Sequence, residues 1–375
     1  MGLASLFGNI YKKADNRTLV RFKHSRKEDE DYINSFADPV DDIERSFNQY
    51  LCQKRNDSDA LKYFAANIAA MLAYIPFLLS YRIKRKKVRF QKHYNNAVTR
   101  DFLEPMVPDV FGGECICQDF NEGSLSKEDS NFIRAVRRRY PISFYFSFKC
   151  MCRVASYSDL IKKYNPKTIF CSAEYSFTSS ILTKYCENNN TAHINLMHGE
   201  KLFNPREAFS RFTEFYVWDE DYIDIFTALR ADKTRYIVNP MKLPDIEIET
   251  AFGKCVYYLQ LQTRDQLIKI KETLEKTGLD YKVRPHPVYD TSATEEIFTK
   301  DKIENYKDVD IWESIAKGGL VISIDSTVLY QAYLKGVDII IDDISNPDLY
   351  NELADRGYIM LDKPHRLLSE LIKEK

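Results

Sequence analysis

From Pro166 onward, apolar and polar positions alternate in blocks of regular length. Lys167–Cys171 (KTIFC) is an apolar run of strand length, Tyr175–Glu187 carries helical spacing, and Ala192–Met197 (AHINLM) is the next short apolar run. Glu214–Trp218 (EFYVW), a helix through Leu229 and a strand at Arg235–Val238 continue the series. Short apolar strands that alternate with helices of about ten to fifteen residues predict parallel α/β units. The rhythm breaks at Asn239–Thr250 (NPMKLPDIEIET), where two prolines predict a hinge. It then resumes. Strands are expected at Lys254–Leu261, Asp280–Val283, Leu320–Ile324, Val337–Ile341 and Tyr358–Leu361. Helices are expected near Arg264–Thr277, Trp312–Lys317, Thr327–Lys335 and Pro347–Asp355, with a closing helix at His365–Glu374. The pattern predicts an α/β chain of two Rossmann-like, doubly wound domains that face a cleft. Residues 1–240 form the first and residues 241–375 the second.

The first 150 residues read differently. Up to about residue 60 the chain is charged and broken up, and Lys23–Tyr32 (KHSRKEDEDY) reads as a solvated segment. Phe64–Tyr81 (FAANIAAMLAYIPFLLSY) is apolar and runs directly into the basic Arg82–Phe90 (RIKRKKVRF). Three readings stay open: a buried helix, an interfacial helix whose basic run sits on anionic lipid, and a full span that Asn67 and Pro76 interrupt. Residues 60–150 thus read as a helical insertion in the first domain. Arg137–Arg139 either joins this basic patch or is a wet helix end.

Composition narrows the classes. In 375 residues, a net charge of −1 gives no reason to expect nucleic acid, and 44 % hydrophobic residues supply core for two domains. Two of the eight cysteines' spacings are C-x-C, Cys115/Cys117 and Cys150/Cys152. Neither fits a zinc pattern, and period-two spacing on strands accounts for both, so no metal site is expected. The start MGLASL has neither a signal peptide nor a myristoylation pattern, which predicts reduced thiols in a cytosol.

Chemistry-bearing residues gather just past predicted strands. In YKVRPHP, Arg284, His286 and Pro287 follow a strand, and the proline fixes the backbone behind the imidazole. In VISIDSTVLYQA, Ser326 and Thr327 open a helix whose free N–H groups and hydroxyls suit an anion, and Gln331 lies one turn on, within reach of a ribose. Together these predict a site for the phosphate of an activated donor. In AHINLMHGEKLF, His198, Gly199 and Glu200 follow a first-domain strand. Glycine permits a sharp turn there, and His198 is placed to accept a proton from an attacking hydroxyl. Glu174, after the preceding strand, is a rival base, with Ser176 and Thr178 read as helix caps. Asp219–Asp221 reads as an acidic helix start rather than a metal-binding D-x-D.

The set His198-Gly199, Arg284–Pro287 and Asp325–Thr327 resembles bacterial GT-B glycosyltransferases of surface polysaccharide synthesis, over roughly residues 165 to 365. Bacterial sialyl- and polysialyltransferases are similar in layout. Their His-Pro and Ser-Ser/Thr motifs hold the phosphate of CMP-sialic acid and map onto His286, Pro287, Ser326 and Thr327. Where those enzymes carry an acidic pair before glycine, this chain has Met197-His198-Gly199. That form resembles CDP-glycerol glycerophosphotransferases of teichoic acid synthesis. The resemblance implies a metal-independent, inverting transfer from a nucleotide-activated sugar, CMP-linked by best match, with no cofactor. Gly199 and Glu200 then lie on the acceptor side, and the acceptor is a glycan or glycolipid of capsule, O-antigen or lipooligosaccharide. A cytoplasmic enzyme, peripheral on the inner face of the plasma membrane through Arg82–Arg89, follows from it. Polyol-phosphate transfer is the alternative, and a nucleotide-sugar epimerase or a non-enzymatic binding subunit are further readings.

Overall fold

The computed structural model describes residues 22–118, 122–249, 253–289 and 292–373. The Met1–Leu6 motif readings, Thr250 and Glu374 fall outside them. Two compact units divide the chain. One holds the described residues up to Asn195 with Asn204–Glu214 and Ala228–Arg235; the other holds Leu196–Phe203, Phe215–Thr227 and the described residues from Tyr236 on.

The first sheet comprises β1 (Asn96–Val98), β2 (Cys115–Cys117), β3 (Thr168–Cys171), β4 (Ala192–Leu196), β5 (Glu214–Val217) and β6 (Arg235–Val238), in the order β2-β1-β3-β4-β5-β6. β1 pairs in parallel with β2 and β3, and β3 with β4. Every residue of β3 is buried, as a strand covered on both faces requires. The second sheet is parallel throughout: β7 (Lys254–Tyr258), β8 (Asp280–Arg284), β9 (Leu320–Ser323), β10 (Ile339–Ile341) and β11 (Arg366–Leu367), ordered β11-β10-β9-β7-β8. Its core joins Tyr257, Ile322 and Ile340 to Ile270 and Leu274 of the helix Arg264–Thr277. The α/β class and both parallel sheets follow the expectation from the sequence.

The N-terminal region departs from it. Lys23–Tyr32 is no solvated segment. Ser25 and Glu28 close a capping box that starts α1 (Arg26–Asn34), and Asp29 is buried against Arg55 at 3.1 Å. The next helix, α2 (Asp42–Asp57), buries Ser46, Gln49 and Gln53. These polar side chains are satisfied by backbone: Gln49 donates to the Glu174 and Arg206 carbonyls at 2.7 and 2.9 Å. An apolar-periodicity reading passes over such a helix.

Three further elements correct the expectation. Cys150 and Cys152 lie on α5 (Phe144–Tyr164), not on a strand. Tyr358–Leu361 forms a 3-10 turn, and the sheet takes its last strand from Arg366–Leu367 instead, so the closing helix begins only at Leu368. The helix expected from Tyr175 begins at Ser179, after a turn in which Ser176 and Thr178 bond each other at 2.9 Å. Arg137–Arg139 ends the helix Lys127–Arg139; Arg139 pairs with Asp41 and Glu44.

Phe64–Tyr81 lies within α3 (Ala60–Arg85), which contains Pro76. Among the described residues it is the one helix long and apolar enough to cross a bilayer. One face, with Tyr63, Ala70 and Tyr74, packs into the first unit's core against α5. The opposite face carries an exposed apolar stripe through Leu61 (77 % exposed), Phe64, Ile68, Leu72 (69 %), Ile75, Leu79 and Ile83. The buried-helix reading therefore holds for one face only.

Packing around the second sheet is tight at Gly318. An added Cβ there would meet the Ser314 carbonyl oxygen at 2.6 Å and Val256 Cγ2 at 2.7 Å. Gly318→Ala is expected to destabilise the fold by about 1–3 kcal/mol, read as a lower denaturant midpoint at unchanged slope.

Candidate active site

Parallel pairing of β7 with β8 and β9 brings the loops that follow these strands to one edge of the second sheet. After β8, Pro285 is buried and His286 half-buried. The Val288 N–H donates to His286 Nδ1 at 3.1 Å, and the ring stacks on Tyr289 with centroids 4.5 Å apart. Because Nδ1 is an acceptor, the ring proton of the neutral imidazole sits on Nε2, which is left as a donor. Burial lowers the His286 pKa and favours that neutral form. A cavity of about 10 Å³, the room of one water, is lined by Leu259, Gln260, Gln262, Pro285, His286 and Tyr289. Pro287 is exposed just beyond.

Arg284 is placed otherwise than expected. Only 6 % exposed, it donates to Glu304 Oε1 at 2.7 Å and to the Val309 carbonyl at 2.8 Å. Glu304 also accepts from Ser314 Oγ, which bonds the Tyr258 hydroxyl. A guanidinium so enclosed must spend its donors on fixed partners. Arg284 therefore braces the loop beneath His286 and does not present itself to a donor phosphate.

After β9, Ser326 caps α11 (Thr327–Leu334), its Oγ accepting from the Val328 N–H at 3.3 Å. Tyr330 fixes this helix from below. Its ring stacks on Trp218 at 5.7 Å, and its hydroxyl donates to the Trp218 carbonyl at 3.3 Å. Gln331, expected at a ribose, has its amide against Met241 Sδ at 3.8 Å. β8 and β9 flank β7, so the loops bearing His286 and Ser326 start two strand spacings apart, roughly 10 Å.

The turn after β4 reaches the start of α11. Gly199 has φ +74°, and a Cβ on it would lie 3.9 Å from Thr327 Oγ1. His198 is exposed beside it. Glu200, read from the sequence only as an acceptor-side residue, has a buried carboxyl. Oε2 accepts from the Tyr222 hydroxyl at 2.5 Å, and Oε1 is buried with no hydrogen-bond partner. Burial, with a smaller push from Asp219, raises its pKa to about 7 against the opposing pull of the Tyr222 hydrogen bond and Lys201. The only signal in the sequence was an acid directly after the His-Gly turn. Asp219 and Asp221 both pair with Lys363, at 2.9 and 3.1 Å.

Glu174, the rival base, belongs to the first unit and is fully buried. Its Oε2 accepts from Asn195 Nδ2 at 3.0 Å, while Asn195 Oδ1 accepts from the Ala173 N–H at 2.8 Å. This ties the loop after β3 to β4, and an acceptor hydroxyl has no access to a carboxylate so placed.

No protein-family model and no curated protein matches this sequence. Among solved structures, the chain is similar to the wall teichoic acid polymerase TagF, at 11 % identity over 88 % of each chain with a TM-score of 0.39. A TagF variant soaked with CDPG gives 12 % identity, 88 % of each chain and a TM-score of 0.40. The glycotransferase of kitacinnamycin gives 10 % identity over 76 % of this chain and 95 % of that one, with a TM-score of 0.37.

The Glu200 carboxyl makes a pH signature. With a folded-state pKa of about 7 against 4.5 for the free group, the folded chain holds a proton that the unfolded chain releases between those values. Its contribution is full below about pH 4.5 and is lost as pH rises towards 7, a fall on the order of 3 kcal/mol. Glu200→Gln is expected to flatten this slope, measured as melting temperature between pH 4.5 and 8.

Proposed function

We propose that the chain is a metal-independent, inverting glycosyltransferase that uses a nucleotide-activated donor. The observation that carries this reading is the approach of Gly199 to Thr327, which brings the His198 turn to the start of α11. In this reading the nucleotide phosphate rests on the Ser326/Thr327 helix start, where the macrodipole and first-turn N–H groups favour negative charge. His286 donates from Nε2 to a phosphate oxygen, which offsets charge as the leaving group departs. His198 accepts the proton of the acceptor hydroxyl. The acceptor oxygen bonds to the anomeric carbon as the bond from that carbon to the phosphate oxygen breaks, and the nucleotide leaves.

A CMP-linked acidic sugar, transferred to a capsule, O-antigen or lipooligosaccharide acceptor, is the donor this reading favours. It rests on the His-Pro and Ser-Thr pair. A second reading, polyol-phosphate transfer from CDP-glycerol, is favoured by the exposed His198 in the slot where an acidic pair would stand. There the hydroxyl attacks phosphorus, and CMP again leaves. The protein is expected to consume one of these two donors, with CMP released in step. His286→Ala is expected to slow that release by about 10²-fold with the fold retained. Consumption of neither donor, or an undiminished rate in this variant, would overturn the reading.

The cytoplasmic, peripheral location belongs to the same proposal. The stripe of α3 runs into the exposed cations Arg82, Lys84, Lys86, Lys87 and Arg89. At that end a groove of about 340 Å³ is lined by Leu79, Ile83 and Leu125 with Arg82, Arg85 and Lys86. Apolar surface beside basic charge suits a helix lying on an anionic bilayer. A spanning helix would have to leave α5, where Asn67 Oδ1 accepts from the Tyr145 N–H at 3.1 Å. The protein is expected to sediment with phosphatidylglycerol vesicles and far less with phosphatidylcholine vesicles. Leu72→Asp with Ile75→Asp is expected to release it at unchanged melting temperature.

A further inference from the structure

The first sheet has a ligand edge of its own. From β1 the chain runs outward to β2 and then returns to the other side of β1 for β3, so the strand order reverses between β1 and β3. At such a switch point the loops past the strand ends diverge and leave a crevice, which is where doubly wound sheets bind ligands. The register Val98↔Phe170 puts the two ends level, and the Thr99 N–H donates to the Phe170 carbonyl at 3.1 Å.

Cations collect at this edge. Arg100 is the second residue past β1. Lys149 and Arg153 stand one turn apart on α5, and the Lys149 ammonium lies 4.1 Å from the centre of the Phe177 ring, in the loop after β3. Arg153 lies within electrostatic reach of Arg100, and Lys149 within that of Arg153 and Arg206. Arg206 is drawn in by α2, where Gln53 Nε2 donates to both the Tyr175 and Arg206 carbonyls. Arg206 Nε is buried with no hydrogen-bond partner. Among the described residues, no ion pair joins Arg100, Lys149 or Arg206 to a carboxylate. Asp57, a carboxylate acting on Lys149, accepts from the Tyr63 hydroxyl, and Glu174 accepts from Asn195 through Oε2. Burial, then Arg153 and Arg206, pushes the Lys149 pKa down to about 8. Lys149, Arg153 and Arg206 are half-buried and Arg100 is exposed; like charges held together and partly withdrawn from water are costly unless an anion completes them.

We propose that Arg100, Lys149, Arg153 and Arg206 form a binding site for an oxyanion, phosphate or carboxylate, carried by the acceptor glycan. The site itself stands on the first unit alone, and only its assignment to the acceptor rests on the transferase reading. Calorimetric titration of the full chain with a hexose phosphate, a uronic-acid oligosaccharide and a neutral oligosaccharide tests it. At least one anionic ligand is expected to bind ten-fold or more tighter than the neutral one and to weaken with salt. Lys149→Gln with Arg153→Gln is expected to erase that preference, leave CMP affinity unchanged and hold or raise the melting temperature, because like-charge repulsion is relieved. Equal affinity for neutral and anionic ligands, or a preference that survives the double substitution in a folded protein, would overturn the site. CMP competing for the anion at this site would overturn the acceptor assignment. Anion binding without any CMP binding would leave the site standing and remove the transferase reading instead.

Discussion

Parallel strand pairing governs which residues of this chain can share a site. In the second sheet, β8, β7 and β9 run in one direction, so the segments that follow them leave from a single edge. Each strand end is a place where the backbone stops pairing and its free N–H and C=O groups can meet a ligand. His286 and Ser326 are distant in sequence and share that edge because of the pairing. The loop after β7, Leu259–Gln262, lies between them. Disturbing β7, whose inner residues Val256 and Tyr257 are buried between both neighbours, would move the two together.

Support for the edge comes from below. Arg284, Glu304, Ser314 and the Tyr258 hydroxyl form one buried polar network. Trp218 and Tyr330 form an aromatic stack under the start of α11. The network braces the loop of the half-buried His286, and the stack braces the helix that the buried Ser326 caps. Preorganisation of this kind is what the proposed binding edge would require.

The sequence disclosed the parts of the fold that depend on apolar runs. β3, β7 and β9 are short and largely apolar, and they lie close to where their pattern puts them, as do β4 and the alternating β8. The parts that depend on polar burial were opaque. α2 packs through Ser46, Gln49 and Gln53, and a count of apolar spacing is blind to amides that bond distant carbonyls. Tyr358–Leu361 has strand composition, yet its Tyr358 and Ile359 carbonyls accept turn bonds from Leu361 and Asp362. At the site, residue type and strand-end position were legible, whereas side-chain direction was not. Arg284 looked like a phosphate ligand because an arginine follows a strand, but a partner twenty residues on, Glu304, turns it inward. Glu200 is the converse case: an ordinary acid in sequence, made unusual by the enclosure of its carboxyl.

If α3 lies on a bilayer as proposed, Pro76 sets its depth. Proline has no N–H, so the carbonyl of Leu72, four residues back, forfeits its usual helical donor. Leu72 stands in the middle of the uncovered stripe. Were that stripe to sink fully into hydrocarbon, the oxygen would lose water as well, at a penalty of several kcal/mol. On the interfacial seating proposed above, such a dipole would act as a float, favouring the glycerol level, where moisture still reaches the peptide backbone.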